Sequence, residues 1–439
     1  MLLFAAAVTI LTALCFGLLP ALHATKVDPG SVMKESSRGS SGGRRAWLAR
    51  GVVVAQIAVC LVLVIGALLF ARSLRNLSRS DFGFQRGGLL LVDVNPSKGG
   101  FKSDRATLFF KDFLNRLNTT PAFRSGSCAF ITPLSGGMWW EPADVPGYIP
   151  AQNEMTTVYL NSVSPRYFAT IGTPVLKGLE FTEADDRNSR RVAIVNESFA
   201  RRFFAGTDAV GRKFSTGNGK EKDTTNLEIV GIVANTKYGN PREKQKELVY
   251  LAMYQGQYGV GGAIQVRLAR NISMDGASSE VRKIAAEIGK EVPAEVRPYD
   301  KLFERALQQD RMVALLSAFF GLLGMALACV GLYGVMAYAV SSRKGEIGIR
   351  MALGARPGSV VRMILRESLM LGTIGIAIGI PVALVAARFV AGYLFGLAAA
   401  DPLTLGLAAL IMMAVANLAG YLPARLASSV DPVIALRSD

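Results

Sequence analysis

The sequence contains very little histidine and cysteine. His23 is the only histidine in 439 residues, which excludes a metal site built from several histidines. Of the four cysteines, Cys15, Cys60 and Cys329 lie inside apolar runs, where a free thiol behaves as a small hydrophobic group. Cys128 has no second cysteine in the polar part of the chain with which to pair. We therefore predict neither a disulfide framework nor a metal centre.

Motifs for catalysis and nucleotide binding are also missing. The sequence has no Gly-x-x-x-x-Gly-Lys-Ser/Thr loop, and its Gly219-Lys220 and Gly289-Lys290 pairs are both followed by glutamate. It has no His-Glu-x-x-His and no Cys-x-x-Cys motif. An acidic cluster at 183–186 is interpreted as a solvated turn. The chain is therefore predicted to have no catalytic residues and no cofactor, and not to hydrolyse ATP by itself.

Long apolar runs are what the sequence does contain. Hydrophobic residues make up 51% of the chain and charged residues 19%, a mixture that indicates membrane spans together with a substantial soluble part. About 20 apolar residues in a helix cross the hydrocarbon core of a bilayer. Five runs reach that length: 2–20, 51–71, 312–340, 368–394 and 402–422.

The formal charge of +16 is unevenly distributed. Basic residues concentrate in 25–50 and 341–367, and both segments border apolar runs. This position is typical of cytoplasmic loops that set membrane topology, and not of a groove for nucleic acid. We therefore predict no nucleic-acid partner. The two basic segments and the C-terminus are expected inside the cell, with 72–311 and the N-terminus outside.

The large outside region mixes strand and helix patterns. Strands are predicted at 89–94, 157–160, 192–196, 227–234, 248–252 and 263–268. Helices are predicted at 104–117, 164–171, 197–204 and 275–291, with Ser164 and Asp275 as N-caps. Trp139-Trp140 follows a glycine pair and is interpreted either as an exposed binding tip or as a packed loop. The fold class is an α-helical membrane protein of about five transmembrane helices with a large α+β extracytoplasmic domain.

A short basic segment between the third and fourth runs carries a family resemblance. Residues 346–355 read Glu-Ile-Gly-Ile-Arg-Met-Ala-Leu-Gly-Ala and resemble the signature of MacB/FtsX-type ABC transporter permeases. Four further segments match in the same order: 164–168, 192–204, 227–233 and 422–436. The resemblance implies a transmembrane helix at 51–72, a MacB-like periplasmic core domain at 73–311, and an FtsX-like domain with three transmembrane helices at 312–439.

An internal repeat suggests a further division of the chain. The elements at 19–21 and 27–29, Leu-Pro-Ala and Val-Asp-Pro, recur at 422–424 and 430–432 with the same offset. Residues 1–35 therefore resemble the terminal span and tail of a preceding permease repeat. Residues 36–50 are rich in serine, glycine and arginine and are predicted to be a basic flexible linker. Chance similarity of two membrane-exit segments is the alternative.

Two groups of residues are candidates for function. Members of the family meet their ATPase through the 346–355 segment, so the resemblance assigns coupling to Glu346, Gly348, Arg350, Gly354 and Arg356. Glu346 and Arg350 stand four apart and would share a helix face. Small residues at helical spacing allow close helix packing in lipid, either within one chain or between two copies. These helix-packing candidates are Gly324, Ala328, Gly331, Gly375 and Gly379.

The function implied is that of an inner-membrane permease subunit of an ABC-type export or mechanotransmission system in a bacterium. It would couple ATP hydrolysis by a separate cytoplasmic subunit to movement of the periplasmic domain. Expected partners are that ATPase, a second copy or a paired permease, a periplasmic adaptor and membrane lipid. The alternative is a signalling or scaffold membrane protein that activates a periplasmic cell-wall hydrolase. The residues do not identify a substrate.

Overall fold

The computed structural model describes residues 41–101, 103–217, 226–256, 260–270, 272–353, 356–398 and 400–428. The chain divides into two compact units. Arg72–Val313 form the extracytoplasmic unit, and the described residues up to Ala71 and from Ala314 onward form the membrane unit. The predicted first span, at 2–20, and the terminal repeat, at 1–35, lie outside the described residues.

The helices and strands of the described residues are as follows. In chain order they are α1 (Ser41–Arg79), β1 (Leu89–Val94), α2 (Ser103–Thr119), β2 (Phe123–Ala129), β3 (Trp139–Asp144), β4 (Thr157–Val163), α3 (Tyr167–Ile171), β5 (Val175–Gly178), β6 (Val192–Asn196), α4 (Glu197–Phe203), β7 (Lys213–Thr216), β8 (Leu227–Val233), β9 (Leu248–Ala252), β10 (Ala263–Leu268), α5 (Met274–Ile288), β11 (Ala294–Pro298), α6 (Tyr299–Ala306), α7 (Gln308–Ser342), α8 (Lys344–Ala352), α9 (Pro357–Val390) and α10 (Pro402–Ser428).

Four of the described helices, α1, α7, α9 and α10, are long and apolar enough to cross a membrane. Each extends beyond the apolar run that predicted it; α9, for example, begins at Pro357 and not at residue 368. Apolar composition marks where the hydrocarbon lies, whereas a formed helix adds further turns at little cost. Proline at the first helical turn is also favourable, because its missing N–H has no helical partner there.

The predicted flexible linker at 36–50 differs from the structure, because α1 already begins at Ser41. Residues 41–50 are therefore helical. Propagation from the adjoining membrane helix avoids the cost of nucleation, which explains why a glycine-rich stretch can be helical here. The side chain of Arg50 also forms an ion pair with Glu367 on α9, which fixes this end of α1.

Helix α1 lies at the centre of the membrane unit. Its Ile57, Cys60 and Leu61 side chains are at most 2% exposed, and they belong to a core shared with α7, α9 and α10. Helices α9 and α10 are joined by a hydrogen bond in which the Ser368 hydroxyl donates to the Ala416 carbonyl at 2.7 Å. The hydroxyl thereby satisfies its hydrogen-bonding requirement where water is scarce.

Within its described residues, the extracytoplasmic unit is built on a sheet of eleven strands. One part is open and antiparallel, in the order β11-β1-β10-β2. Helices α2 and α5 contribute side chains such as Phe113 and Val281 to the core that covers it. Both helices place apolar residues on one face, as the sequence pattern predicts.

The other part of the sheet closes on itself. Strands β4, β3, β7, β8, β6 and β9 pair in that order, and β9 returns to pair with β4. The pairs β4–β9 and β6–β8 are parallel. A second core contains side chains of these strands and of α4, including the fully buried Phe199 and Val249. The pair Ala129–Val163 joins the two parts.

Most of the predicted elements of this unit are confirmed. Strands β1, β6, β9 and β10 have the predicted bounds at both ends. Five strands were not predicted, namely β2, β3, β5, β7 and β11. Trp139-Trp140 lies in β3, paired with Leu160 and Tyr159 of β4, so the pair belongs to a strand and not to a loop tip.

Both predicted N-caps are wrong. The Ser164 hydroxyl accepts a hydrogen bond from the Cys128 backbone N–H at 2.8 Å, and α3 begins only at Tyr167, after a left-handed residue at Arg166. Helix α5 is capped by Ser273, which accepts from the Gly276 N–H at 3.1 Å. Asp275 instead lies in the first turn, where a carboxylate is favourable beside the helix dipole.

Candidate functional site

Helix α8 is a nine-residue helix between α7 and α9 that carries three of the five predicted coupling residues, Glu346, Gly348 and Arg350. The Arg350 Nη2 atom lies 2.5 Å from Glu346 Oε1, the pair expected from their spacing. Both side chains are about half exposed, at 53% and 54%. An exposed pair of this kind contributes little to stability, and it leaves both charges accessible to a partner.

The two faces of α8 differ in burial. Ile347 is 6% exposed and belongs to the core of the membrane unit, and Met351 packs against the same core. On the opposite face Ile349 is 51% exposed and Leu353, which follows the helix, is 83% exposed. Glu346, Ile349, Arg350 and Leu353 share helical spacing, and we call them the α8 outer face. This face therefore offers a partner two exposed apolar side chains beside two opposite charges.

Ion pairs hold the elements next to α8 together. Glu367 on α9 pairs with Arg343, which precedes α8, at 3.4 Å, and also with Arg50 of α1. One carboxylate thereby connects three elements at the same end of the membrane unit. Sequence reasoning missed Glu367, because its partners are distant in the chain. The only available signal was an isolated carboxylate within a basic segment.

The remaining coupling candidates are Arg356, Gly348 and Gly354. Arg356 is exposed and is the N-cap residue of α9, where its carbonyl accepts from the Ser359 N–H at 2.8 Å. Gly348 lies within α8. Gly354 lies outside the described residues. Arg350 is also near α9, with Nη1 3.5 Å from Met363 Sδ.

The small residues of α9 lie against α1. A Cβ atom added to Gly375 would stand 2.6 Å from Ile57 Cγ2, and one added to Gly379 would stand 3.1 Å from the Ala58 backbone. These separations are closer than van der Waals contact allows. The two helices therefore approach at positions where a larger side chain has no room.

The small residues of α7 also face α1. Ala328 is 2% exposed, and a Cβ atom added to Gly324 would stand 3.3 Å from Leu63 Cδ1. A Cβ atom added to Gly331 would meet the side-chain oxygen of Gln56 at 2.5 Å. The contacts of these small residues are thus with another helix of the same chain.

An exposed apolar patch lies on the extracytoplasmic unit. Phe130, Met138 and Trp140 are 52%, 47% and 61% exposed, respectively. The ring of Trp139 packs edge-on against Phe130, with 6.3 Å between centroids. Trp140 is the next residue of β3, so its side chain lies on the opposite face of the strand from Trp139. Exposed aromatic and methionine side chains are enriched at partner-binding surfaces. We call Phe130, Met138 and Trp139, together with Trp140 on the other face of β3, the aromatic patch.

Buried tyrosines in the same unit are structural. The Tyr167 and Tyr238 hydroxyl oxygens are 2.6 Å apart, and Asn161 Nδ2 donates to Tyr238 at 3.1 Å. Burial raises the pKa of Tyr167 and of Tyr238 well above the ordinary value. Both hydroxyls therefore stay neutral and satisfy each other inside the core.

Among the described residues, no group of three or more histidine, cysteine, aspartate or glutamate side chains could hold a metal ion. In the acidic cluster, Asp185 accepts from the Thr182 N–H at 2.7 Å and Asp186 from the Asn188 N–H at 2.9 Å. These carboxylates therefore shape their own turn.

Comparison with known families gives two matches. Residues 51–284 match the MacB-like periplasmic core domain. Residues 318–432 match the FtsX-like permease C-terminal domain. Together they cover both units of the chain.

Named relatives include two export proteins. The macrolide export ATP-binding/permease protein MacB of Bradyrhizobium diazoefficiens is 27% identical over 290 residues, which is 64% of this chain and 43% of the relative. The probable syringafactin export ATP-binding/permease protein SyfD of Pseudomonas syringae pv. syringae is 26% identical over 294 residues, with the same coverage of 64% and 43%. The chain thus spans less than half the length of these relatives.

Similar solved structures include two extracytoplasmic domains. One is the periplasmic region of MacB from Actinobacillus actinomycetemcomitans, with a TM-score of 0.35, 15% identity, and coverage of 52% of this chain and 97% of that one. The other is the extracellular domain of the noncanonic ABC-type transporter YknZ from Gram-positive bacteria, with a TM-score of 0.30 and 17% identity, covering 46% and 93%.

Proposed function

This chain belongs to the MacB/FtsX-type family of ABC transporter permeases, multi-pass proteins of the bacterial inner membrane, and we propose that it couples ATP hydrolysis by a separate cytoplasmic subunit to movement of its extracytoplasmic domain. The relatives carry ATP-binding and permease functions under one name. In this proposal an ATPase binds the permease from the cytoplasm, and the permease transmits the movement across the membrane to drive export.

The observation that carries the proposal is the α8 outer face. Its residues Ile349 and Leu353 remain exposed although the opposite side of the helix is packed into the membrane unit. An apolar side chain gains free energy when a partner covers it, and the adjacent Glu346 and Arg350 can select that partner by charge. A soluble ATPase that docks here would push on a helix anchored by Ile347.

Helix length supports transmission over a distance. Helix α7 has 35 residues and α1 has 39, which at 1.5 Å per residue gives lengths of roughly 50 to 60 Å, well beyond the ~30 Å hydrocarbon core. The preceding helix α6 ends at Ala306 and α7 begins at Gln308, so the two are separate helices. The stiff element proposed here is therefore α7 alone.

The proposal is tested by affinity purification of the tagged chain from cross-linked membranes. We expect an ABC ATPase among the proteins recovered. Recovery of the intact permease without any ATPase, from cells in which the permease is expressed at its native level, would contradict coupling. The same sample identifies any extracytoplasmic partner.

A second candidate function is a membrane scaffold that activates a periplasmic cell-wall hydrolase. The aromatic patch supports it, because a permanently bound partner would cover these exposed rings. The two functions predict different partners on the outside, an export adaptor or a hydrolase. Replacement of Trp140 by Ser, compared with Leu108→Ser at another exposed apolar site of the unit, would show whether the partner contacts the patch.

The topology can be tested with single cysteines in a background that lacks the four native ones. We expect Glu197→Cys to react with a membrane-impermeant maleimide added to spheroplasts, since 197 lies in the extracytoplasmic unit and its side chain is half exposed. Gly358→Cys should react only after permeabilisation, because 358 lies in the basic cytoplasmic segment. The reverse labelling pattern would contradict the whole topology.

Energy supply can be tested with the purified chain. Because the sequence has no phosphate-binding loop, we expect no ATP hydrolysis above the rate of a mock preparation. Addition of the matching ATPase should restore hydrolysis. ATP hydrolysis that remains after every co-purifying ATPase has been removed would contradict the proposal that a separate subunit hydrolyses ATP.

A further inference from the structure

An open groove lies at one end of the membrane unit, between the beginning of α1 and the end of α7. Its volume is about 380 Å³, and it is lined by Ala49 and Arg50 on α1 and by Gly334, Tyr338, Ala339 and Arg343 on the α7 side. The groove therefore has two arginines at its rim and small residues on its α7 wall. Neither family match nor the coupling proposal assigns it a role.

The rim carries a surplus of positive charge. Arg50 and Arg343 both form ion pairs with the same carboxylate, Glu367. Two guanidinium groups thus share one carboxylate, and one positive charge is left without compensation within this cluster. Their side chains are 36% and 44% exposed, so free N–H donors remain for an anion. Arginine N–H groups match the oxygens of a phosphate group well.

The position of the groove in the sequence fixes its depth in the bilayer. Arg50 immediately precedes the uncharged run at 51–71, and Arg343 follows the apolar run at 312–340. Both arginines therefore stand at the same boundary of the hydrocarbon region. Trp47 and Tyr338 are 71% and 55% exposed at this level, and aromatic side chains of this kind concentrate at the headgroup level of a membrane.

We propose that this groove binds one anionic phospholipid from the cytoplasmic leaflet. Arg50 and Arg343 hold the phosphate group, and the upper part of an acyl chain lies along Gly334 and Ala339. The apolar wall favours a lipid over free phosphate in solution. Two identical copies facing each other here would bring like charges together, which opposes a symmetric dimer contact at this site.

The test uses Trp47 as a reporter, because it lies three residues before Arg50 on α1 and shares its helix face. Replacement of Trp139 and Trp140 by phenylalanine leaves Trp47 as the only tryptophan. The full chain is placed in nanodiscs that contain a phosphatidylglycerol or a phosphatidylcholine with a nitroxide near the top of the acyl chain. We expect phosphatidylglycerol to quench Trp47 at a lower fraction of labelled lipid than phosphatidylcholine.

Two variants probe the two halves of the site. Arg343→Gln leaves Glu367 paired with Arg50 and should lower the preference for phosphatidylglycerol about fivefold. Gly334→Leu should lower lipid retention without a change of charge, and the fold should accept it, since no atom lies within 4 Å of an added Cβ. Arg388→Gln, at an exposed position near the other end of a membrane helix, is the matched control and should leave the preference unchanged.

Three results would overturn the proposal. Equal quenching of Trp47 by both lipids would show that the groove does not select an anionic headgroup. Full competition by millimolar glycerol phosphate would show a soluble anion site. A Gly334→Leu chain that turns from dimer to monomer by native mass spectrometry would show that a second copy, and not a lipid, fills the groove.

Discussion

Replacement of Gly375 by leucine is expected to destabilise the membrane unit strongly. A Cβ atom at this position would stand 2.6 Å from Ile57 Cγ2 and 2.8 Å from Ile57 Cβ. Ile57 is 2% exposed on the central helix α1 and has no free space into which it can move. Overpacking of a closed core costs about 3 kcal/mol. The measurement is the thermal midpoint of the detergent-solubilised chain, followed by fluorescence size exclusion.

The control for this prediction is Gly406→Leu on α10. Nothing lies within 4 Å of a Cβ atom at Gly406, so this variant adds the same apolar side chain to a membrane helix without a clash. We expect its midpoint to stay near that of the unmodified chain. If the Gly375→Leu variant has the same thermal midpoint as the Gly406→Leu variant, then α1 and α9 are not packed at the distance described above.

Reversal of charge at Arg350 is expected to weaken binding of the ATPase by roughly 30-fold, which corresponds to about 2 kcal/mol. Arg350→Glu places two carboxylates four residues apart on the α8 outer face and removes the positive charge offered to a partner. Insertion into the membrane should be unaffected, because the side chain is about half exposed. The measurements are the affinity for the purified ATPase and the stimulated rate of ATP hydrolysis.

A charge swap separates recognition from helix stability. The double variant Glu346→Arg with Arg350→Glu keeps an ion pair within α8 but exchanges the two positions. If the partner recognises each charge at its own position, the double variant will bind the ATPase as weakly as Arg350→Glu does. If the ion pair only stabilises α8, the double variant will bind the ATPase as well as the unmodified chain does. Arg362→Glu, at an exposed position on α9, is the matched control for charge. Wild-type coupling in the Arg350→Glu variant would show that α8 is not the docking surface.

Local patterns predicted the regular part of the extracytoplasmic unit well. Strands such as β1 and β10 are runs of β-branched and apolar residues, so their bounds follow from composition. Strand β2 reads Phe-Arg-Ser-Gly-Ser-Cys-Ala and was missed, because small polar residues have low strand propensity. That segment is a strand since β10 supplies hydrogen bonds along it, a tertiary effect that no local window contains.

The sequence predicted those contacts of the candidate site that join residues close together in the chain. Spacing alone placed Glu346 and Arg350 on one face of α8, and the ion pair is present. It could not show that Ile347 is packed while Ile349 is exposed, since both are isoleucines in the same short helix. Nor could it connect Glu367 with Arg50, which are far apart in the chain. The ends of the membrane helices were missed for a different reason. Hydropathy indicates where the hydrocarbon layer ends, and not where the helix ends.

The pairing of β1 has a bearing on how the protein is made. β1 is the first strand to be synthesised after α1, yet the two strands that pair with it are β10 and β11. Leu89 pairs with Arg267 and Leu90 with Pro298, which are synthesised much later. Contacts between such distant residues form slowly. The segment must therefore be exported almost completely, up to the start of α6, before its open sheet can assemble. Until then the edges of β1 stay unpaired and prone to aggregation.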